Sequence, residues 1–182
     1  MKLKTCTGLV LVGLFFSGIG TAFADEVYTA KLIRKRGLSK DFVHLDLRIR
    51  ERATEEQAAA LRKILAEQGT DALMDALRKG DYGEARVTGG LPRRIGWVRV
   101  YPGQNGSQVI IVTERPLYFP GEEPEGETSG AVGIITLEMN DRGQGRGRLA
   151  EAVKIDITEE GVLRVEAARP ATIEMEDVRR EQ

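Results

Sequence analysis

His44 is the only histidine of the 182-residue chain, and Cys6 is its only cysteine. Cys6 falls inside a leader-like N-terminus, so the chain that follows carries one imidazole and no thiol. Sites that need two histidines, or histidine with cysteine, cannot form within one such chain. That excludes Cys₂His₂ fingers, His-Glu-x-x-His metalloproteases and Cys-His nucleophilic enzymes. A Ser-His-Asp arrangement would have to join His44 to Ser39, Ser107 or Ser129, and none of these sits in a Gly-x-Ser-x-Gly elbow. His44 shares strand parity with Asp46, and a polar surface position accounts for it. Asp and Glu are abundant enough to supply a hydrolytic carboxylate pair, but no spacing singles one out.

Two further stretches invite chemistry. Gly143-Gln144-Gly145-Arg146-Gly147 resembles a phosphate-cradling loop, with Arg142, Arg146 and Arg148 able to touch an anion. A dinucleotide loop must open a helix, however, and a P-loop must continue into Lys-Ser/Thr. Here the chain continues as alternating strand, so the segment reads as a flexible hairpin turn and no cofactor is implied. The acids from Glu122 to Glu127 lack the spacing of a calcium loop and read as a solvated connection with at most weak calcium affinity. No catalytic or metal-ligating set emerges.

What remains is a binding surface, set against a favoured reading of Trp97 as the largest residue of the core. Trp97, Arg99 and Tyr101 lie at alternate positions and so share one face of a strand. Tyr118 and Phe119 follow in a segment bounded by Pro116 and Pro120. Aromatic rings with an arginine are common in recognition patches. The competing reading places Trp97 in the core.

The elements that must position these residues follow from periodicity. Glu26–Arg36 and Asp41–Arg50 alternate as two strands around a Gly37–Lys40 turn. Thr54-Glu55-Glu56-Gln57 is a capping box, followed by apolar residues at helical spacing to Gly69. Thr70 could cap a second helix that Gly80 stops, so a pair of helices, or one kinked helix, is expected. Strand character returns at Glu84–Thr88, Arg94–Tyr101 and Gln108–Thr113, the last two joined through Asn105-Gly106, read as a turn rather than a glycosylation site. From Ala131 to Val178 four alternating segments predict a β-meander. Within it, Leu149, Val153, Ile155 and Ile157 share a face that Glu151 interrupts, and the Val132–Met139 strand is apolar on both parities.

The N-terminus sets the compartment. Lys2 and Lys4, an apolar run from Gly8 to Ile19 and Ala22-Phe23-Ala24 form a secretory signal, residues 1–24, with cleavage expected after Ala24. The run is short for a bilayer span, so no stable membrane anchor is expected. Of 27 basic residues the leader takes two, leaving 25 against 28 acidic ones, a formal charge of −3. That balance excludes a strongly basic nucleic-acid binder. Residues 25–182 are ordinary in length for one domain and must be held by packing rather than disulfides.

Ile95-Gly96-Trp97, Ile111-Val112-Thr113-Glu114-Arg115-Pro116 and Gly143–Gly147 before Ala152-Val153-Lys154-Ile155 resemble a family of exported bacterial proteins of uncharacterised activity. The likeness runs from about Leu61 to the C-terminus. It implies a bacterial, envelope-facing protein and carries no site residues with it.

The expected fold is α+β: a mainly antiparallel sheet, curved or partly closed, with an inserted helix pair on one face. The expected role is a non-catalytic protein, periplasmic or extracellular, that binds an envelope component: a partner protein, glycan or lipid. The alternatives are a small-ligand or lipid carrier with a barrel-like interior, and a carboxylate-dependent hydrolase.

Overall fold

In the computed structural model, alternation in the chain becomes nine strands among the described residues: β1 (Glu26–Arg36), β2 (Ser39–Ile49), β3 (Gly83–Val87), β4 (Arg93–Gly103), β5 (Gly106–Thr113), β6 (Val132–Met139), β7 (Gln144–Ile157), β8 (Leu163–Ala167) and β9 (Ile173–Arg180). The structure describes residues 25–36, 39–118, 121, 131–157, 163–167 and 173–181. The expected leader (1–24), Gly37 and Leu38 of the expected first turn, Phe119, the acids from Glu122 to Glu127, Ser129 and the expected Thr158–Gly161 turn lie outside them.

Every pairing is antiparallel, in the order β6-β5-β4-β3-β2-β1-β9-β7, and β7 returns to pair with β6. The sheet is therefore a closed eight-strand barrel rather than a partly open one. Closure removes the free edges that an open sheet would expose. β8 stands outside the ring, paired with the far half of β7. The predicted meander consequently fails at its last step: β9 passes β8 and pairs with the near half of β7 and with β1, completing the ring.

Inward positions on the ring strands are apolar. Leu32, Leu45, Ile95, Val98, Ile111, Ile135, Leu137 and Leu149 are each 0% exposed, so no water-sized space adjoins them. Each such side chain contributes about 1.5–3 kcal/mol by leaving water. Leu117, in the irregular segment after Pro116, turns into this core and closes one end.

Thr54 caps helix α1 (Glu55–Lys79): its hydroxyl accepts from Gln57 N at 3.2 Å and Gln57 Oε1 accepts from Thr54 N at 2.8 Å. Among the described residues this is the one helix, kinked at Gly69: the kinked-helix alternative rather than a separate pair. Gly69 (φ 82°, ψ −171°) leaves helical geometry without ending the element, a conformation glycine adopts at little cost. A straight helix of 25 residues would span about 37 Å. Yet both of its ends lie on β4. Ala53 N donates to Val98 O at 2.7 Å, and a Cβ on Gly96 would meet Leu77 O at 1.8 Å. The helix therefore doubles back at Gly69. Leu73, Met74 and Leu77 pack its second half over Val112, Val132 and Val153 on the outside of the barrel. That packing explains why β6 is apolar on both parities. No helix among the described residues is long and apolar enough to cross a membrane.

Val153 reaches the helix because β7 carries a bulge. Ala150 pairs with Ile134 and Val153 with Val132, so Glu151 and Ala152 together oppose Gly133. The extra residue reverses the parity and separates Val153 from Leu149, which the sequence had placed on one face. Glu151, 3% exposed, accepts from Arg34 at 2.8 Å, and its carbonyl accepts from Leu117 N at 3.0 Å. The charge interrupting an apolar face is thus half of a buried ion pair beneath the Leu117 closure.

Candidate functional site

The register of four neighbouring strands divides the outer wall of the barrel into two zones. Trp97, Val112 and Ile134 follow one another across β4, β5 and β6, with Ala150 next on β7. This row lies under α1: Val112 is buried, and Trp97, Ile134 and Ala150 pack against the helix cluster. Trp97 also meets Tyr82 edge-on, ring centres 5.7 Å apart.

The next row runs Arg99, Ile110, Thr136, Arg148 and Glu174, and the one beyond runs Tyr101, Gln108, Glu138 and Arg146. Of these rows the helix reaches only Arg99, through Thr54 and Glu55 at its start. The rows span three strand spacings or more, about 14 Å. A groove of about 420 Å³ lies along them, lined by Gln108, Thr136, Glu138, Arg146, Arg148, Glu174 and Glu176. Within it Arg146 Nε donates to Glu138 Oε2 at 2.8 Å.

Arg99 and Tyr101 continue the two rows on β4. Arg99 stacks over the Tyr101 ring at 5.3 Å and donates to Glu55 in the first turn of α1. The hydrogen bonds from Arg62 and then Arg99 hold the Glu55 carboxyl below the usual carboxylate range, while the bond to Glu55 raises Arg99. An acid in the first helical turn also suits the helix dipole. Tyr101 remains 42% exposed. The bare wall therefore offers hydrogen-bonding groups of both charge signs and one open aromatic ring.

The residues singled out in the sequence fall into three groups. Trp97, Arg99 and Tyr101 do share the outer face, but Trp97 is committed to the helix. Arg99 and Tyr101 belong to the bare wall. Tyr118 follows β5 at the end where Thr113 pairs with Ile95, six positions from Tyr101, about 20 Å of strand away. It does not join them. Among the residues of the groove, periodicity had flagged only Arg146 and Arg148, as anion contacts. Gln108, Glu138 and Glu174 come from distant segments that only the barrel register brings together.

The glycine-arginine stretch takes a different form from the flexible turn expected of it. The turn is Asn140–Gly143, where Asn140 Oδ1 accepts from Arg142 N and Gln144 N at 3.0 Å each. Gln144–Gly147 already belongs to β7. A Cβ on Gly145 would lie 2.0 Å from Glu138 O, and one on Gly147 would lie 2.8 Å from the Leu137 side chain. These glycines let β6 and β7 close tightly, and they open no helix that could meet a phosphate. His44 is exposed on β2 and meets Phe42 edge-on at 6.1 Å. Ser107 is on β5, three strands around the ring. Among the described residues no three His, Cys, Asp or Glu side chains group as metal ligands.

No family model, curated protein or solved structure matches the chain.

Proposed function

We propose that the protein is an exported, non-catalytic binding protein of the bacterial envelope, and that the bare wall of its barrel holds a segment of a partner protein. The observation that carries this reading is the continuity of Arg99 and Tyr101 with the groove over β5, β6, β7 and β9. A polar groove with paired charges and an aromatic ring at one end suits an extended polypeptide, whose amides and mixed side chains need both donors and acceptors. The leader pattern supports export, and the resemblance to exported bacterial proteins agrees with it.

A carrier is the second reading, because closed eight-strand barrels also serve small ligands. Its ligand would have to displace inward side chains such as Leu45 and Ile111, each 0% exposed. A hydrolase would draw its carboxylates from Glu138, Glu174 and Glu176 in the same groove.

Immobilised mature chain incubated with envelope extract tests the proposal. The wild type is expected to retain a partner that Tyr101→Ala and Arg146→Glu both lose while still folding normally. Retention of the same partner by both variants would overturn the assignment to the bare wall. Native mass spectrometry of the periplasmic protein separates out the carrier, which would show a reproducible added mass.

A further inference from the structure

Two charged groups of the groove find no counterpart within the chain. Arg148 on β7 and Glu176 on β9 are exposed, and both line the groove. Among the described residues neither forms an ion pair or a side-chain hydrogen bond. Their charged neighbours are already occupied. Arg146 donates to Glu138 at 2.8 Å and Lys31 to Asp177 at 2.7 Å. Glu174, opposite Arg148 in the register, has an interaction of its own.

A bulge sets the direction of Glu176. The pairings of β9 with β1 and with β7 both shift register around residues 176–178, and Asp177 takes φ 52° there. That region is costly for a residue with a side chain, and such strain collects where structure serves contact or chemistry. The extra residue turns Glu176 and Asp177 outward together. Asp177 takes the lysine of β1, which leaves the Glu176 carboxylate to the groove.

Because Arg148 opposes Glu174, it is a diagonal neighbour of Glu176 across the β7–β9 pair. Diagonal positions lie about 7–8 Å apart. An extended chain advances about 3.3 Å per residue, so side chains two positions apart leave one face about 6.6 Å from each other. An acidic and a basic residue at that spacing meet both groups at once. Adjacent residues point to opposite faces and meet only one.

We infer that the segment held by the wall is an extended polypeptide carrying an acidic and a basic side chain two residues apart, the acid on Arg148 and the base on Glu176. This rests on the bare wall being the contact surface and adds the charge pattern of what it holds. Both pairs are exposed, so recognition through them is modest in strength and screened by salt.

Nuclear magnetic resonance titration of the mature chain at low ionic strength, with two acetylated and amidated peptides of one composition, tests the inference. Thr-Glu-Thr-Lys-Thr places its charges on one face, and Thr-Glu-Lys-Thr-Thr places them on opposite faces. The first is expected to shift the Arg148 guanidinium and the β7 and β9 amides at millimolar concentration, and to bind severalfold more tightly than the second. Arg148→Glu or Glu176→Arg alone is expected to weaken its binding roughly fivefold. The double exchange is expected to restore it, because the peptide can lie in the reverse direction. Amide shifts elsewhere in the barrel report that each variant is folded. Equal binding of the two peptides, an unmoved Arg148, or a double exchange as weak as its components would overturn the inference. The bare-wall assignment fails by a different result, a wall whose positions capture no partner at all.

Discussion

The same four strands, β4 to β7, build two walls of opposite character. Toward one end their outward positions are Trp97, Val112, Ile134 and Val153, and α1 lies over them. Toward the other they are Tyr101, Gln108, Glu138 and Arg146, and the helix leaves them bare. Strand geometry is shared, so the two walls differ in the chemistry of their side chains. The bend at Gly69 sets the limit of the cover by returning the end of α1 to β4, where Gly96 lets backbone meet backbone. The barrel holds its helix with apolar residues on one outer zone and leaves the adjoining one polar and charged.

The comparison can be broken most severely at Gly96. In Gly96→Ala the new methyl would sit 1.8 Å from Leu77 O, against backbone that cannot rotate away. A loss of roughly 3 kcal/mol in urea denaturation is expected, with the helix lifting from the covered wall.

The barrel interior should be dry, and Tyr28 reports on it. Tyr28 is 2% exposed within the barrel core. Burial, helped by its hydrogen bond to Glu26 Oε2 at 2.6 Å, pushes its phenol from 10.0 up to about 12. The fold thus favours the neutral phenol. That contribution is complete below pH 10.0 and lost as pH climbs toward about 12. It amounts to about 2–3 kcal/mol over that window. Ultraviolet titration should show one tyrosine ionising two units late, together with falling stability.

Trp97→Ala removes a half-buried ring beneath the helix and should cost about 2 kcal/mol, less than a fully buried tryptophan would. Tyr101→Ala, two positions along the same face, should stay within about 0.5 kcal/mol. Equal effects at the two positions would erase the distinction between the walls.

Much of this architecture is written locally in the chain. Alternation located β1, β2 and β4 through β7, and the Thr54–Gln57 capping box located the start of α1. Gly69 was legible as a break, yet whether a break yields two helices or one bent helix depends on the β4 backbone waiting at Gly96. Closure was not legible, because the pairing of β1 with β9 joins segments almost the whole chain apart and leaves no local mark. The β7 bulge escaped for the opposite reason: one extra residue inverts parity without disturbing composition. For the site, parity placed Trp97, Arg99 and Tyr101 on one face. Only register could show that Tyr101 continues into Gln108, Glu138 and Arg146 while Trp97 passes under the helix.

The central claim is that the bare wall is the contact surface. Photo-crosslinking amino acids placed in turn at Tyr101, Gln108 and Glu138, and at Asp46 and Arg86 on the β2–β3 side of the barrel, test it in intact bacteria. The account predicts one common crosslinked partner from the first three positions and none from the last two. Equal crosslinking from Asp46 and Arg86, or none from the bare wall, would contradict it.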